Sequence, residues 1–451
     1  MKARNLAKWN RKMKPKSRIK SQFDLFRANF NQILNLDHEL CQLAKAIDWP
    51  KFESGFASCY SSDMGAPAKA VRLMVGMHYL KYMFNESDES VVEHWVENPY
   101  WQFFCGYEYM QHKCPIHPTT MVKWRQRVGA ERLETMLTET LEMAVRGGHV
   151  TTHQFSKVTA DTTVQEKAVA HLTDARLYQK SRCRLVKLAV KRGIKLRQSY
   201  ERVGKYEFIK QSRYANAQQF RRAAKCTRKL KTYLGRVIRD IERNAGTMDD
   251  ELSTILKRAR RIHQQSREDK NKLYSLDAPE VSCIAKGKAH KKFEFGCKIS
   301  LVVSNVGDWI LGVRRVEGNR HDSKTLAAAI TQAERISGVK VGEIFADKGY
   351  RGWDYEGPAK IHIVGTSNRD LPRSTRKRKK RRSAIEPIGH LKSDHRMNRN
   401  YLKHAAGDEI NAILAACGAN MRKLLRKLSH ALMELWLKLQ ILLQSPAQAA
   451  A

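Results

Sequence analysis

The stretch EIFADKGYRG, residues 343–352, decides how the rest of the chain is read. It opens as an apolar run of buried-strand character and stops on Asp347, with Lys348, Gly349, Tyr350 and Arg351 directly behind it. A carboxylate at the end of such a run, surrounded by cations, has two readings. As a turn residue, Asp347 accepts hydrogen bonds from the backbone that follows it, the usual work of Asp beside Gly. As a functional residue, it holds something positive while its neighbours hold something negative. The strands and acids elsewhere in the chain decide between them.

Working outward, SKTLAAAITQAERISG (323–338) reads as a capped helix that ends on Gly. Before it lie two strand-like runs, FEFGCKISLVVSN (293–305) and WILGVRRVEG (309–318), joined by a tight NVGD connection. AKIHIVGTSN (359–368) follows as a further strand. Far upstream, FSKVTADTTV (155–164) is β-branched, follows a Gly-Gly break at 147–148, and reads as the first strand. Residues 174–270 differ in character, with Arg, Lys, Gln and Tyr at helical spacing, as in RKLKTYLGRVIRDIER (228–243). Charge runs of this kind usually form solvated helix faces; contact with a DNA backbone is the sharper alternative. Without that block the order is strand, hairpin, helix, strand, strand, helix. Such an order suits a mixed sheet covered by helices, the ribonuclease H type of plan. The expected fold class is therefore α/β: a ribonuclease H-like mixed-sheet core with a helical N-terminal domain and a helical insertion. The expected domains are a helical DNA-binding or dimerisation domain at 1–150, the core at 151–173 and 271–407, the basic insertion at 174–270, and a C-terminal helix at 408–451.

The first domain is helical by its spacing. In PAKAVRLMVGMHYLKYMF (67–84), Leu73, Met77, Leu80 and Phe84 make one apolar face. HPTTMVKWRQRVG (117–129) has Thr caps, a short helix and Gly129 to stop it. Trp124, Arg125 and Arg127 on that helix suit a helix-turn-helix reader of DNA, or equally a basic solvated face with a buried Trp.

Composition narrows the partners. The 451 residues carry 84 Lys+Arg against 45 Asp+Glu, a formal charge of +39. A hydrophobic content of 42% excludes a wholly disordered basic tail and supports folded domains. An excess of this size repels itself unless a polyanion screens it, which puts nucleic acid first among partners. An anionic membrane is the competitor. The apolar run 424–443 is interrupted by Arg426, Lys427, Glu434 and Lys438, so a packing helix is expected there and no membrane span. The basic N-terminus has no apolar signal region, and nine cysteines without a CxxC pair suit reduced thiols in a cytosol.

Three acids become interesting together. Asp161 lies in the first strand, Asp347 at the end of the fourth, and Glu386 near the start of a late helix. The first and fourth strands are neighbours in the expected sheet, so their carboxylates can face one another. Carboxylates sharing a site repel unless a cation sits between them. Hard Mg²⁺ fits, held by few carboxylates plus phosphate oxygens and water. Two such ions about 4 Å apart serve an in-line displacement at phosphorus. Plainer readings exist for each acid. Asp161 can bond its own backbone, Asp347 can be a turn residue, and Glu386 completes a capping box with Ser383 ahead of Pro387. His321 and Asp322 read as a helix cap and its neighbour.

At these residues the chain resembles a known family. VTADTTVQEKAVAH, KGKAHKKFEFGCKISL, GNRHDSKTL, ADKGYRG and RRSAIEPIGHLKSDHRMNRNYL are similar to transposases of the bacterial insertion-sequence family five, and residues 72–107 to the helical domain ahead of their core. The likeness runs from about residue 40 to 430. It implies a ribonuclease H-like core whose Asp-Asp-Glu triad, with Mg²⁺ or Mn²⁺, cuts DNA at element ends and joins them to target DNA. By position, Asp161, Asp347 and Glu386 are that triad. The resemblance also implies double-stranded DNA as partner, assembly of several copies on it, and a place with the bacterial nucleoid. Lys348, Tyr350 and Arg351 are expected to meet phosphate or an unpaired base. Arg382 stands where the wider group has Arg, with three residues between it and Glu386; the group's Tyr position is Lys379. Lys392, Arg396 and Arg399 are expected to share one DNA-gripping face of the Glu386 helix. A nuclease on the same core, or a silent DNA-binding repressor from a decayed element, are the alternatives.

Overall fold

Caps and apolar spacing account for the helices that open the chain. In the computed structural model, which describes residues 27–61, 65, 67–170, 173–266, 268–285, 292–382 and 387–444, these are α1 (Phe30–Ile33), α2 (Glu39–Ala46), α3 (Trp49–Phe56), α4 (Val71–Met83), α5 (Asp88–Glu97), α6 (Pro99–Phe104) and α7 (Pro118–Arg146). Asp48, Ser87, Asn98 and His117 cap α3, α5, α6 and α7, and Pro follows three of those caps where its missing N–H costs nothing. Helix α4 is buried almost all round, His78 and Lys81 included. At Gly129 the chain does break, at φ +76° and ψ 168°, a conformation left to glycine, but helix resumes at once and the two pieces make one long α7.

After α7 come β1 (Lys157–Lys167), then α8 (Asp174–Lys191), α9 (Glu201–Asn216), α10 (Phe220–Asn244), α11 (Asp250–Gln264) and β2 (Ser282–Ala285). The chain continues with β3 (Phe293–Ser304), β4 (Ile310–Val316), α12 (Leu326–Ser337), β5 (Glu343–Ala346), β6 (Lys360–Ile363), α13 (Arg373–Arg382), α14 (Pro387–Ser393), β7 (Arg399–Asn400) and α15 (His404–Gln444). No helix among the described residues is long and apolar enough to cross a membrane.

Two compact units result, residues 1–165 with 298–451, and residues 166–297. In the first, a mixed sheet runs β4-β3-β1-β5-β6, with β7 also on β1. β3 and β4 are the expected antiparallel hairpin, from Lys298↔Val316 to Val303↔Ile310, with a register shift at Val302/Val303. β5 is parallel to both β1 and β6. This unit takes in the opening helices, which had been expected to stand apart. Its last helix explains why. Asn420 of α15 donates to Thr140 of α7 at 3.0 Å and exchanges hydrogen bonds with the backbone of Ile310 in β4, both at 3.0 Å. Gly418 lets α15 close onto the backbone of Tyr82 in α4, where a Cβ would meet its carbonyl carbon at 2.5 Å. The long helix is thus a common wall for sheet and opening helices.

The second unit is wider than the expected insertion. Helices α8, α10 and α11 bury a shared core that includes Leu185, Leu188, Leu234, Ile241, Leu256 and Ile262. Arg192 bonds Asp249 and Glu251, fixing the end of α8 against the start of α11. The cations point elsewhere. From Phe208 to Arg239 there is no acidic residue, and Arg221, Lys225 and Arg228 are exposed along α10. β2 pairs antiparallel with the first residues of β3, Ser282↔Gly296 to Ala285↔Phe293.

Candidate active site

The site is built from a register. Thr159 of β1 pairs with Phe345 of β5, so two residues on, in the same parallel register, Asp161 comes level with Asp347. Adjacent strands lie about 4.8 Å apart, which brings the two residues near one another where β5 has just ended and β1 runs on. Each also makes the local bond that a plain reading expects. Asp161 Oδ1 accepts from the Thr162 N–H at 2.7 Å, and Asp347 Oδ1 from the Gly349 N–H at 3.0 Å, which caps the short turn Lys348–Tyr350. The turn reading of Asp347 is thus met, and it is compatible with the functional one.

A third acid stands beside them. The turn that precedes α12 is capped by His321, as expected, and its first residue, Asp322, reaches into the site. Asp322 Oδ1 accepts from the Thr162 hydroxyl at 2.9 Å and from the Lys298 ammonium of β3 at 3.0 Å. Lys298 is almost wholly buried and also donates to the Arg320 carbonyl at 2.6 Å. Gly349 separates Asp322 from Asp347. A Cβ on it would stand 3.1 Å from Asp347 Oδ1 and 3.2 Å from Asp322 Oδ2. Burial raises the Tyr350 hydroxyl pKa well above its ordinary value, and the charges of Asp161, Asp322 and Asp347 raise it further.

These residues fit a hard divalent cation. The donors are carboxylate oxygens with no thiol or imidazole among them, and a side chain at Gly349 would crowd two of them. Among the described residues no three His, Cys, Asp or Glu side chains are grouped so as to hold a metal ion by themselves. Glu386 lies outside the described residues.

The expected DNA contacts divide. Lys348 and Arg351 are exposed beside Asp347. Tyr350 is fully buried, so it has no face to offer a base. Lys392, Arg396 and Arg399 share no helix face, because α14 ends at Ser393. Arg396 instead has φ +61° and donates to the Asn85 carbonyl at 2.9 Å, and Arg399 lies in β7 with its guanidinium 5.9 Å from the Tyr401 ring. Arg382 closes α13, and Lys379 there donates to Thr366 Oγ1 at 2.8 Å and Asn368 Oδ1 at 3.0 Å, pinning the loop after β6.

Trp124 and Arg125 are corrections as well. Both are buried. Trp124 donates to the Tyr60 hydroxyl at 3.0 Å, while Arg125 grips Asp88 with two nitrogens, at 2.8 and 2.6 Å. They hold the helices together and cannot read a duplex. Arg127 is half-buried, its guanidinium 5.8 Å from the Tyr60 ring. Asp322, read from sequence only as the neighbour of the cap His321, is brought beside Asp347 by the fold.

Two parts of the chain match known families: residues 28–127 a transposase domain (DUF772), and residues 261–421 a transposase DDE domain. The chain belongs to a family of DDE transposases. A relative from Rhizobium meliloti, described as an uncharacterized protein ORF8 in the nfe locus, is 48% identical over 208 residues, which are 46% of this chain and 100% of the relative. No solved structure matches.

Proposed function

We propose that this chain cuts DNA at the terminal inverted repeats of a mobile element and joins the freed ends to target DNA, as a member of insertion-sequence family five. The observation that carries the reading is the register that levels Asp161 with Asp347 on adjacent parallel strands. The strand order β4-β3-β1-β5-β6 supports a ribonuclease H-like core. Asp161 and Asp347, with Glu386 as third acid, would hold one or two Mg²⁺ ions, with Mn²⁺ able to replace them. Bound there, the ion would supply the positive charge that activates an attacking oxygen and stabilises a leaving one.

The chain's own residues bind and orient. Lys348 and Arg351 sit on the exposed side of Asp347, where phosphates on either side of the scissile bond can be neutralised. In the first step water attacks phosphorus and the 3′ oxygen leaves with a proton. In the second, that 3′ hydroxyl attacks a target phosphodiester, gives up its proton, and displaces another 3′ oxygen. Phosphodiester number is unchanged by the second step, so no external energy source is needed. Double-stranded DNA and further copies of the chain assembled on it are the partners, in the nucleoid of a bacterial cytoplasm.

The test is direct. Purified protein, labelled repeat-end DNA and Mg²⁺ should give nicked ends and joined products. Asp161→Asn, Asp347→Asn and Glu386→Gln should each leave binding intact and reduce both products to background. Nicks without joined products would make the protein a nuclease. Unaltered products in the Asp347→Asn variant would remove that residue from the chemistry.

A further inference from the structure

Asp322 has no assigned part in the chemistry, yet its geometry is that of a site residue. We propose that Asp322 forms an anionic wall of the divalent-ion site opposite Asp347, with Thr162 and Lys298 as the residues that hold it there; this rests on reading Asp161 and Asp347 as ion-holding acids.

Its two oxygens have separate tasks. Oδ1 accepts from both the Thr162 hydroxyl at 2.9 Å and the Lys298 ammonium at 3.0 Å. Oδ2 turns toward Gly349, 3.2 Å from where a Cβ would sit, and Asp347 Oδ1 faces the same point from 3.1 Å. The two carboxylates can therefore be no farther apart than the sum of those distances. An Asp kept only to neutralise Lys298 has no reason to turn its second oxygen toward another acid, where the charges repel. An Asn could accept the same two hydrogen bonds without that repulsion. A cation between the acids turns the repulsion into attraction, and Gly349 adds no side chain to crowd them.

A second feature points the same way. The Tyr350 hydroxyl is wholly buried where Asp161, Asp322 and Asp347 all act on it. The Thr325 side chain acts on it as a hydrogen-bond partner, but at a geometry short of a full hydrogen bond. Buried hydroxyls are ordinarily satisfied by protein or by ordered water, and the water shell of an ion at this place would supply the partner.

The tether matters as much as the wall. Thr162 follows Asp161 in β1, so its bond to Asp322 fixes the turn before α12 to the strand that carries the first acid. Lys298 adds β3 to the same junction. Three separate segments thus set where Asp322 stands relative to Asp161.

Mn²⁺ binding to the full chain, followed by the paramagnetic signal of unbound Mn²⁺, separates the possibilities without any DNA. Asp322→Asn should weaken Mn²⁺ affinity about tenfold or more, the cost typical of losing a supporting partner of a metal site. Asn keeps both hydrogen bonds but strips the buried Lys298 ammonium of its counter-charge, so the melting temperature in EDTA should fall, and affinities are compared at a temperature where both proteins are folded. Gly349→Ala, at a position whose backbone is not left-handed, should weaken Mn²⁺ by pushing both carboxylates aside, and it carries the test if Asp322→Asn fails to fold. Wild-type affinity in both variants, with Asp347→Asn losing the ion, would overturn the assignment and leave Asp322 as the counter-ion of Lys298 alone. Equal Mn²⁺ binding by wild type and Asp347→Asn would instead overturn the underlying reading of the site.

Discussion

Arg125 shows how much a single side chain depends on a partner far away in the chain. Its guanidinium is buried against Asp88, with Lys81 bonded to the same carboxylate at 2.7 Å and His78 at 3.3 Å from Arg125. Burial opposes the charge on Asp88, but hydrogen bonds from Arg125 and the charge of Lys81 outweigh it and hold its pKa far below the usual carboxylate range. Removing one member of a buried pair strands the other, at a cost of about 3–5 kcal/mol. Arg125→Met should therefore lower the denaturation midpoint sharply while leaving the DNA affinity of the folded fraction unchanged, measured by urea melts and fluorescence anisotropy. His78 makes the same cluster acid-sensitive. Burial, then the charge of Arg125, push its pKa down to about 3. The unfolded chain has His near 6.5, so it takes up a proton that the folded state refuses. Stability, full above about pH 6.5, should fall by about 1.4 kcal/mol per pH unit toward pH 3. Asp88 adds its own loss below about pH 4. Urea melts at pH 7.5 and 5.5 should show the decline, and His78→Gln should flatten it.

At the scale of elements, what could be read in advance was whatever rests on neighbouring residues. The hairpin β3–β4, the helix α12 stopped by Gly338, and β5 ending one residue before Asp347 all follow from local pattern, and their order places β1 beside β5. What could not be read rests on distant partners. Trp124 and Arg125 look like a presented basic face because Asp88 and Tyr60 are far off in the chain. Arg396 was placed on a helix by spacing alone, whereas the chain turns left-handed there to reach Asn85. Asp322 looked like no more than the neighbour of the cap His321, because the residues that hold it, Thr162 and Lys298, are distant in the chain. The break in α7 is a local matter with a measurable cost. Nothing lies within 4 Å of a Cβ on Gly129, so Gly129→Ala pays only for its backbone, about 1–3 kcal/mol. A matching fall in thermal stability, with no change in helix content, is the expected result.

For the whole molecule, the excess charge of +39 should dominate nucleic-acid binding. Affinity for duplex DNA should fall linearly with salt on logarithmic axes, with a slope of about −0.9 for each phosphate neutralised. Reversing the exposed Arg221, Lys225 and Arg228 to Glu should shallow that slope while leaving the melting temperature alone, if the acid-poor face of α10 meets the backbone. Isotherms at several salt concentrations decide this. Helix α15 sets another whole-molecule property. Mobile elements decay by frameshift and early stop, and a stop anywhere before residue 404 removes the wall that α4, α7 and β4 share. Such a fragment would expose the apolar flanks of its opening helices and be cleared or precipitate. On the proposed function, a shortened copy of this gene is therefore a poor source of a dominant inhibitor, and near-full-length inactive copies would be the competitors for the element's ends.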